Sequence, residues 1–361
     1  MNKKCKTAII ALCTAAIVIT AVVGGNMGMK YKERQDRIDR ANTAMESFLN
    51  NYYAVSEDGS TGLIPGGHFW TRAEMFEIAV DAYEQTGDAK YRDLMWQMYS
   101  GFLEEHGEDW AYNEYNDDIM WMTIGCARAY QLTGDSAYKD TAVKHFNMVY
   151  DRAWDETLGG GLFWRTDNQC KNSCINCPAV IAAALLYQIT EEQVFLDRAL
   201  QIYQWQINTL SQENGAVYDN IDLAGNYNTW CSTYNQGTFI GASHLLYKIT
   251  GEQSYLDRAV KAADYTMNEM YTQGVINTED SGSDLPGFKG ILARWLGKLV
   301  VEEDLEQYKD WMLLNAESAW NNRNVKGLMN TLWGEKTDDK KFYMPWGCSA
   351  AVALMYAVID M

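Results

Sequence analysis

Two adjacent aspartates, Asp117 and Asp118, head the run NDDIMWMTIGCARAYQLTGD. Paired carboxylates suit the cleavage of a glycosidic bond, because one can attack the anomeric carbon while the other carries the proton to and from the bridging oxygen. Ile119, Met122, Cys126 and Tyr130 recur at steps of three and four, so the pattern predicts a helix starting at this pair, with Asn116 as its N-cap. Acids in a first turn also suit the positive end of a helix dipole, and that role alone would account for them. Successive helical side chains point about 100° apart, so two carboxyls can flank one bond. A separation of about 5–5.5 Å fits a retaining mechanism, since no water need fit between sugar and nucleophile. Asp117, nearer the helix end, is expected to stay ionised as nucleophile. Asp118, facing that charge, is expected to hold its proton and act as acid and then base.

The elements that must position this pair come from an internal repeat. AYEQTGDAKYRD, AYQLTGDSAYKDTAVK, LYQITEEQVFLDRAL and LYKITGEQSYLDRAV share Tyr-x-x-Thr, then an acid, an aromatic and Asp. Their tyrosines, Tyr83, Tyr130, Tyr187 and Tyr247, recur roughly every fifty to sixty residues. Each unit ends one helix at Thr-Gly and caps the next with an acid. Extended along the chain, the repeat predicts twelve helices. An amphipathic outer set covers 36–53, 89–105, 136–152, 192–210, 252–271 and 304–321. An inner set rich in Ala, Gly, Leu and Ile covers 69–86, 117–133, 174–190, 234–250, 286–300 and 345–360. Six inner and six outer helices close into an all-α (α/α)6 toroid, which leaves no terminal face to cap. Loops entering the inner helices are long, and those leaving them are tight turns. One face therefore carries the variable loops and the start of the Asp117–Asp118 helix.

Composition narrows the partners. The 361 residues carry a net charge of −18, which disfavours nucleic acid and anionic membrane surfaces, and also acidic sugars that would want a basic cleft. Thirteen Trp and 23 Tyr supply rings that can stack on the C–H faces of neutral sugars, although most such rings belong in a core. Lys3, Lys4 and Lys6 precede an uncharged run to Met29, so residues 1–29 read as a signal peptide or an N-terminal anchor, and 30–361 as the catalytic domain. The rest is then exported: secreted, or held at the cell surface, with membrane contact only through that segment. CKNSCINC has a metal-like spacing, with Cys231 as a conceivable fourth ligand, but a second paired knuckle is missing. Disulfides or packed thiols suit an exported chain better. The four His show no ligand pairing, so neither metal nor cofactor is expected.

NDDIMW, GGGLFWRTDNQCKNSCINCPAVIAAALLYQIT (159–190), TYNQGTFIGASHLLYKITG (233–251) and FKGILARWL (288–296) together resemble glycoside hydrolase family 76, the endo-α-1,6-mannanases, from about Arg40 to the C-terminus. The resemblance implies an (α/α)6 barrel, Asp117 and Asp118 as nucleophile and acid/base of a retaining double displacement, and an α-1,6-linked mannan or manno-oligosaccharide as substrate. CKNSCINC departs from the family pattern, where non-cysteine residues surround the Lys-Asn.

Further substrate-binding candidates are Trp70 and Trp121 as a floor, Trp121 lying one turn beyond Asp117. Asn116, Asn172, Tyr234, Asn235 and Gln236, at or just before inner-helix starts, can bond hydroxyls, with capping as the plain alternative for Asn235. Asp219 can hold a hydroxyl pair or serve an ordinary turn. Arg165 and Lys289 can fix loops, contact hydroxyls or form surface pairs. The expectation is a monomeric, endo-acting mannanase. A mannan transglycosidase and a non-catalytic helical-repeat binder remain the alternatives.

Overall fold

The computed structural model describes residues 29–277 and 279–361. The expected leader therefore lies almost wholly outside the described residues. Twelve helices follow in order: α1 (29–52), α2 (Phe69–Thr86), α3 (Ala89–His106), α4 (Asn116–Thr133), α5 (Ser136–Ala153), α6 (Ser173–Thr190), α7 (Gln193–Thr209), α8 (Thr233–Thr250), α9 (Gln253–Glu269), α10 (Phe288–Glu302), α11 (Glu306–Asn321) and α12 (Pro345–Ala357). The even-numbered helices form the inner ring. α2 packs on α4, α4 on α6, α6 on α8, α8 on α10 and α10 on α12, and α12 returns to α2 and closes the (α/α)6 toroid. Each of α2, α4, α6, α8 and α10 also packs on the outer helix that follows it.

The repeat has a local cause. In all four copies the threonine hydroxyl at the end of the inner helix accepts from the acid two residues on, at 3.2 Å: Thr86 from Asp88 N, Thr133 from Asp135 N, Thr190 from Glu192 N and Thr250 from Glu252 N. Asp88 and Asp135 then cap α3 and α5 through their side chains. Between threonine and acid the backbone is left-handed, which suits Gly87, Gly134 and Gly251. In the third copy Glu191 adopts that conformation at φ 60° despite its Cβ.

Inner helices approach closely because small residues line their contacts. A Cβ on Gly237 would come within 2.5 Å of the Leu292 backbone, so α8 and α10 touch main chain to main chain there. The inner ring is not purely apolar, although Ala, Gly, Leu and Ile are abundant in its sequence. Glu74, Glu77 and Asp81 of α2, Arg128 of α4 and Arg294 of α10 are all buried in one ion network. Arg294 bonds Glu74 at 2.7 Å and Asp81 at 2.8 Å, while Arg128 bonds Glu77 at 2.5 Å and Asp81 at 2.7 Å. Buried charges survive only when paired in this way.

The long loops form small antiparallel sheets. β1 (Ala54–Val55) pairs with β2 (Gly62–Leu63); β3 (Cys170–Asn172), β4 (Asn220–Asp222) and β5 (Tyr227–Asn228) form a three-stranded sheet; β6 (Tyr271–Thr272) pairs with β7 (Val275–Ile276). The three-stranded sheet joins the loop before α6 to the loop before α8 on the long-loop face.

Candidate active site

α4 begins at Asn116, one residue earlier than the pattern predicts, and Tyr115 rather than Asn116 takes the N-cap position. The reason is tertiary. Asn116 N donates to Trp164 O at 2.9 Å and Thr166 N to Glu114 O at 3.0 Å, so the entry to α4 pairs with the loop before α6. Asn116 is buried; its side-chain amide donates to Phe163 O at 2.8 Å and its Oδ1 accepts from Arg152 Nε at 2.6 Å. It anchors the helix start and is not on the cavity wall.

Asp117 and Asp118 occupy the first turn of α4 and both line a cavity of about 700 Å³ on the long-loop face. Around them stand Trp70, Trp121, Trp164, Asn172, Asp219, Trp230, Tyr234 and Asp284. The aromatic floor is one connected set. Trp70 meets Trp346 edge-on at 4.8 Å, Tyr234 stacks on Phe288 at 3.9 Å, and Trp121 lies 6.2 Å from Tyr234. Phe288 and Trp346 come from α10 and α12, so ring closure is what assembles the floor.

The carboxylates differ in support. Asp118 Oδ2 accepts from Asn113 Nδ2 at 3.1 Å. Asp117 is partly accessible as a residue, but its Oδ1 is out of reach of solvent and has no hydrogen-bond partner. Burial raises Asp118 to about 7, with the Asp284 charge adding to the rise and Asn113 opposing it. Burial, then the neighbouring Asp118, also push Asp117 well above the ordinary carboxylate range. The helix end alone would make Asp117 the more readily ionised of the two, as the sequence predicts; desolvation outweighs it here. The pair therefore retains a proton near neutrality.

The Cys174 thiol and the Trp164 indole stand beside Asp117 and favour its charged form, opposing the rise. Asn172 Oδ1, buried on the cavity wall, lacks a partner, which is costly unless a ligand serves it. Asp219 is held by three amides: Asn220 at 2.7 Å and Asn228 at 3.0 Å on one oxygen, Asn235 at 3.2 Å on the other.

The structure does not bring four further candidates to the cavity wall. Asn235 spends its amide on Asp219, and the helix is capped by Ser232 instead. Gln236 is fully buried and bonds Val217 N at 2.7 Å and Gly215 O at 3.0 Å. Lys289 is fully buried over the Trp333 ring, 4.5 Å from its centroid. Arg165 pairs with Glu114 at 2.7 Å and covers the Tyr115 ring at 4.9 Å, bracing the loop behind Asp117. Each is a polar side chain whose partners are loop backbone or other protein groups, a distinction local spacing does not carry. Conversely, nothing in the sequence pattern marks Asp284, Trp164, Trp230 and Tyr115, which line the cavity. Their only signal is membership of the long loops.

The six described cysteines are free thiols. Cys174 is buried and Cys170 half-buried, both on the cavity wall, and Cys177 is buried behind them. Among the described residues no group of His, Cys, Asp and Glu is arranged to hold a metal ion.

A closed helical ring with paired carboxylates over an aromatic floor defines the (α/α)6 class with a sugar-sized acidic cleft. Residues 37–360 match the model of Glycosyl hydrolase family 76, and the chain belongs to that family. The GH76A α-1,6-mannanase of Salegentibacter sp. HEL1_6 is 33% identical, covers 89% of this chain and 98% of its own, and superposes with a TM-score of 0.82. A second structure of that enzyme is an inactive variant, with two successive aspartates changed to asparagine, in complex with α-1,6-mannotriose; it is 32% identical, covers 90% of this chain and 99% of its own, with a TM-score of 0.82. A putative mannan endo-1,6-α-mannosidase of Schizosaccharomyces pombe is 26% identical over 73% of this chain, and this chain spans 64% of that relative's length.

Proposed function

We propose that this protein is a retaining, endo-acting α-1,6-mannanase, with Asp117 and Asp118 as its two reacting carboxylates. The carrying observation is that these neighbours, alone among the adjacent acid pairs of the described chain, sit in the first turn of an inner helix, on the wall of the long-loop cavity and over the aromatic floor. A related mannanase inactivated at two successive aspartates and bound to mannotriose supports the same roles here.

One carboxylate attacks the anomeric carbon of a mannose unit as the glycosidic bond breaks. The other gives its proton to the departing oxygen, then takes one from the water that releases the covalent intermediate. Asp118, raised to about 7 and held by Asn113, suits the proton-carrying role. Asp117 is assigned the attack; burial raises both carboxyls, so the reactive form is the one in which the shared proton rests on Asp118 and Asp117 is ionised. Trp70, Trp121 and Tyr234 supply ring surface for sugar stacking, and Asn172 and Asp219 supply acceptors for hydroxyls. The chain is exported, which the lysine-led apolar segment at its N-terminus supports.

Incubation with linear α-1,6-mannan tests the reading, with oligosaccharides resolved by thin-layer chromatography and the anomer followed by NMR. The wild type is expected to release α-configured fragments. Asp117→Asn and Asp118→Asn are each expected to lose at least about a hundredfold in rate. Full activity in either variant would overturn the assignment and favour a carbohydrate-binding role without catalysis.

A further inference from the structure

A second groove lies on the outer wall, around α3 and the β1–β2 hairpin, and it shares no lining residue with the catalytic cavity. Trp96 of α3 is 45% exposed, while Tyr99 and Tyr138 beneath it are buried. The indole packs 5.8 Å from Tyr99 at 50° and 6.0 Å from Tyr138 at 79°. These tilted and edge contacts hold the ring in place and leave it open to solvent.

The groove around it measures about 610 Å³, close to the catalytic cavity in size, and its wall includes Ser60, Arg92, Asp93, Gln97 and Asp135. Gln97 is clasped at both ends, donating to Gly59 O at 3.0 Å and accepting from Tyr53 Oη at 3.1 Å. That clasp fixes the tip of the β1–β2 hairpin as one wall. Arg92 and Asp93 remain largely exposed, with only a 3.6 Å contact between them, so their donors and acceptors are free for a ligand's hydroxyls.

A rigid exposed ring flanked by a guanidinium, carboxylates and fixed loop backbone is the chemistry that binds a neutral sugar: the ring takes the C–H face and the polar groups take the hydroxyls. One aromatic ring among charged neighbours is too little apolar surface for a docked helix. A net charge of −18 disfavours a polyanion. The loop that lends Gly59 and Ser60 to this groove also lends His68 to the catalytic cavity, so one segment connects the two.

We propose that the Trp96 groove is a non-catalytic binding site for the mannan chain, which holds the polymer on the enzyme while the paired aspartates cut it. The inference rests on the mannanase reading above.

Affinity electrophoresis in gels containing linear α-1,6-mannan tests it. The Asp117→Asn/Asp118→Asn protein serves as parent, so that the polymer survives. Adding Trp96→Ala is expected to weaken retention about tenfold, equivalent to one good stacking contact. In the active enzyme, Trp96→Ala is expected to lower the ratio of kcat/KM on polymer to kcat/KM on α-1,6-mannotetraose by a similar factor. If circular dichroism shows that Trp96→Ala disturbs folding, the exposed pair Arg92→Ala/Asp93→Ala decides instead. Unchanged retention and an unchanged ratio overturn the groove while leaving the mannanase reading intact. A wild type that leaves both polymer and tetraose uncut overturns the mannanase reading, and this one with it.

Discussion

Asn113 donates its side-chain amide to Asp118 Oδ2 at 3.1 Å, and Asn113 is itself held by Arg152, whose Nη2 donates to Asn113 O at 2.8 Å. Arg152 Nε also bonds Asn116 Oδ1 at 2.6 Å. One guanidinium on an outer helix thus braces both flanks of the carboxylate pair. The Asn113 bond favours the charged form of Asp118 and opposes the burial that lifts it to about 7.

Replacing Asn113 by Ala removes that opposition. Asp118 should then hold its proton to higher pH. With Asp118 as proton donor, the alkaline limb of kcat/KM moves up from about 7, and the rate below it falls as the carboxyl loses its orientation. A pH–rate profile on mannan reads both effects. A limb that moves down instead removes Asp118 from the donor role.

Asp284 acts with the opposite sign. It shares the cavity with Asp118, and its charge adds to the rise that burial causes. Asp284→Asn should lower the alkaline limb, since the proton then leaves Asp118 more easily. Measured together, the two variants should bracket the wild type. A limb identical to wild type in Asp284→Asn would mean that solvent screens the charge.

Lys171 is fully buried, and its ammonium donates to three carbonyls: Asp155 O at 2.6 Å, Thr157 O at 2.6 Å and Gly160 O at 2.7 Å. It ties the loop after α5 to β3, and the next residue, Asn172, lines the cavity. Lys171→Met keeps the stem but strands three acceptors, and should cost about 3 kcal/mol of stability. Urea denaturation measures that loss, and KM for mannan should rise as Asn172 loosens. A loss below about 1 kcal/mol would show that water replaces the ammonium there.

Glu74 is raised to about 8, chiefly by burial, with Glu77 and Asp81 adding to the rise and Arg294 opposing it. A protonated Glu74 leaves Arg128, Arg294 and Lys298 balanced against Glu77, Asp81 and Glu84 in the same network. A carboxyl whose folded pKa is raised lends stability below the ordinary carboxylate range and loses it as pH climbs through about 8. Glu74→Gln keeps the neutral form at every pH. Its Tm relative to wild type should therefore improve from pH 6 to about pH 8 and level off above that in thermal melts. A difference that stays flat across that range would mean Glu74 is already ionised at pH 6.

The chain's local patterns determined much of this protein. Tyr83, Tyr130, Tyr187 and Tyr247 with their Thr-acid turns marked the helix pairs, because a turn is decided by a handful of consecutive residues. Apolar spacing sorted inner from outer helices for the same reason, and Asp117 and Asp118 were visible because they are neighbours in the chain. Only the tertiary structure decided which polar residues face the cavity. Gln236 and Lys289 belong to helix starts like that of Asp117, yet they turn to loop backbone and to Trp333. Asp284 comes to share the cavity with Asp118 only when α10 and α12 join the ring. Arg294 and Glu74 meet across 220 residues of chain. Helical periodicity reports which face of a segment is buried, but not what lies opposite. That is fixed when the six inner helices close on one another, and no short stretch of sequence carries a record of its partner.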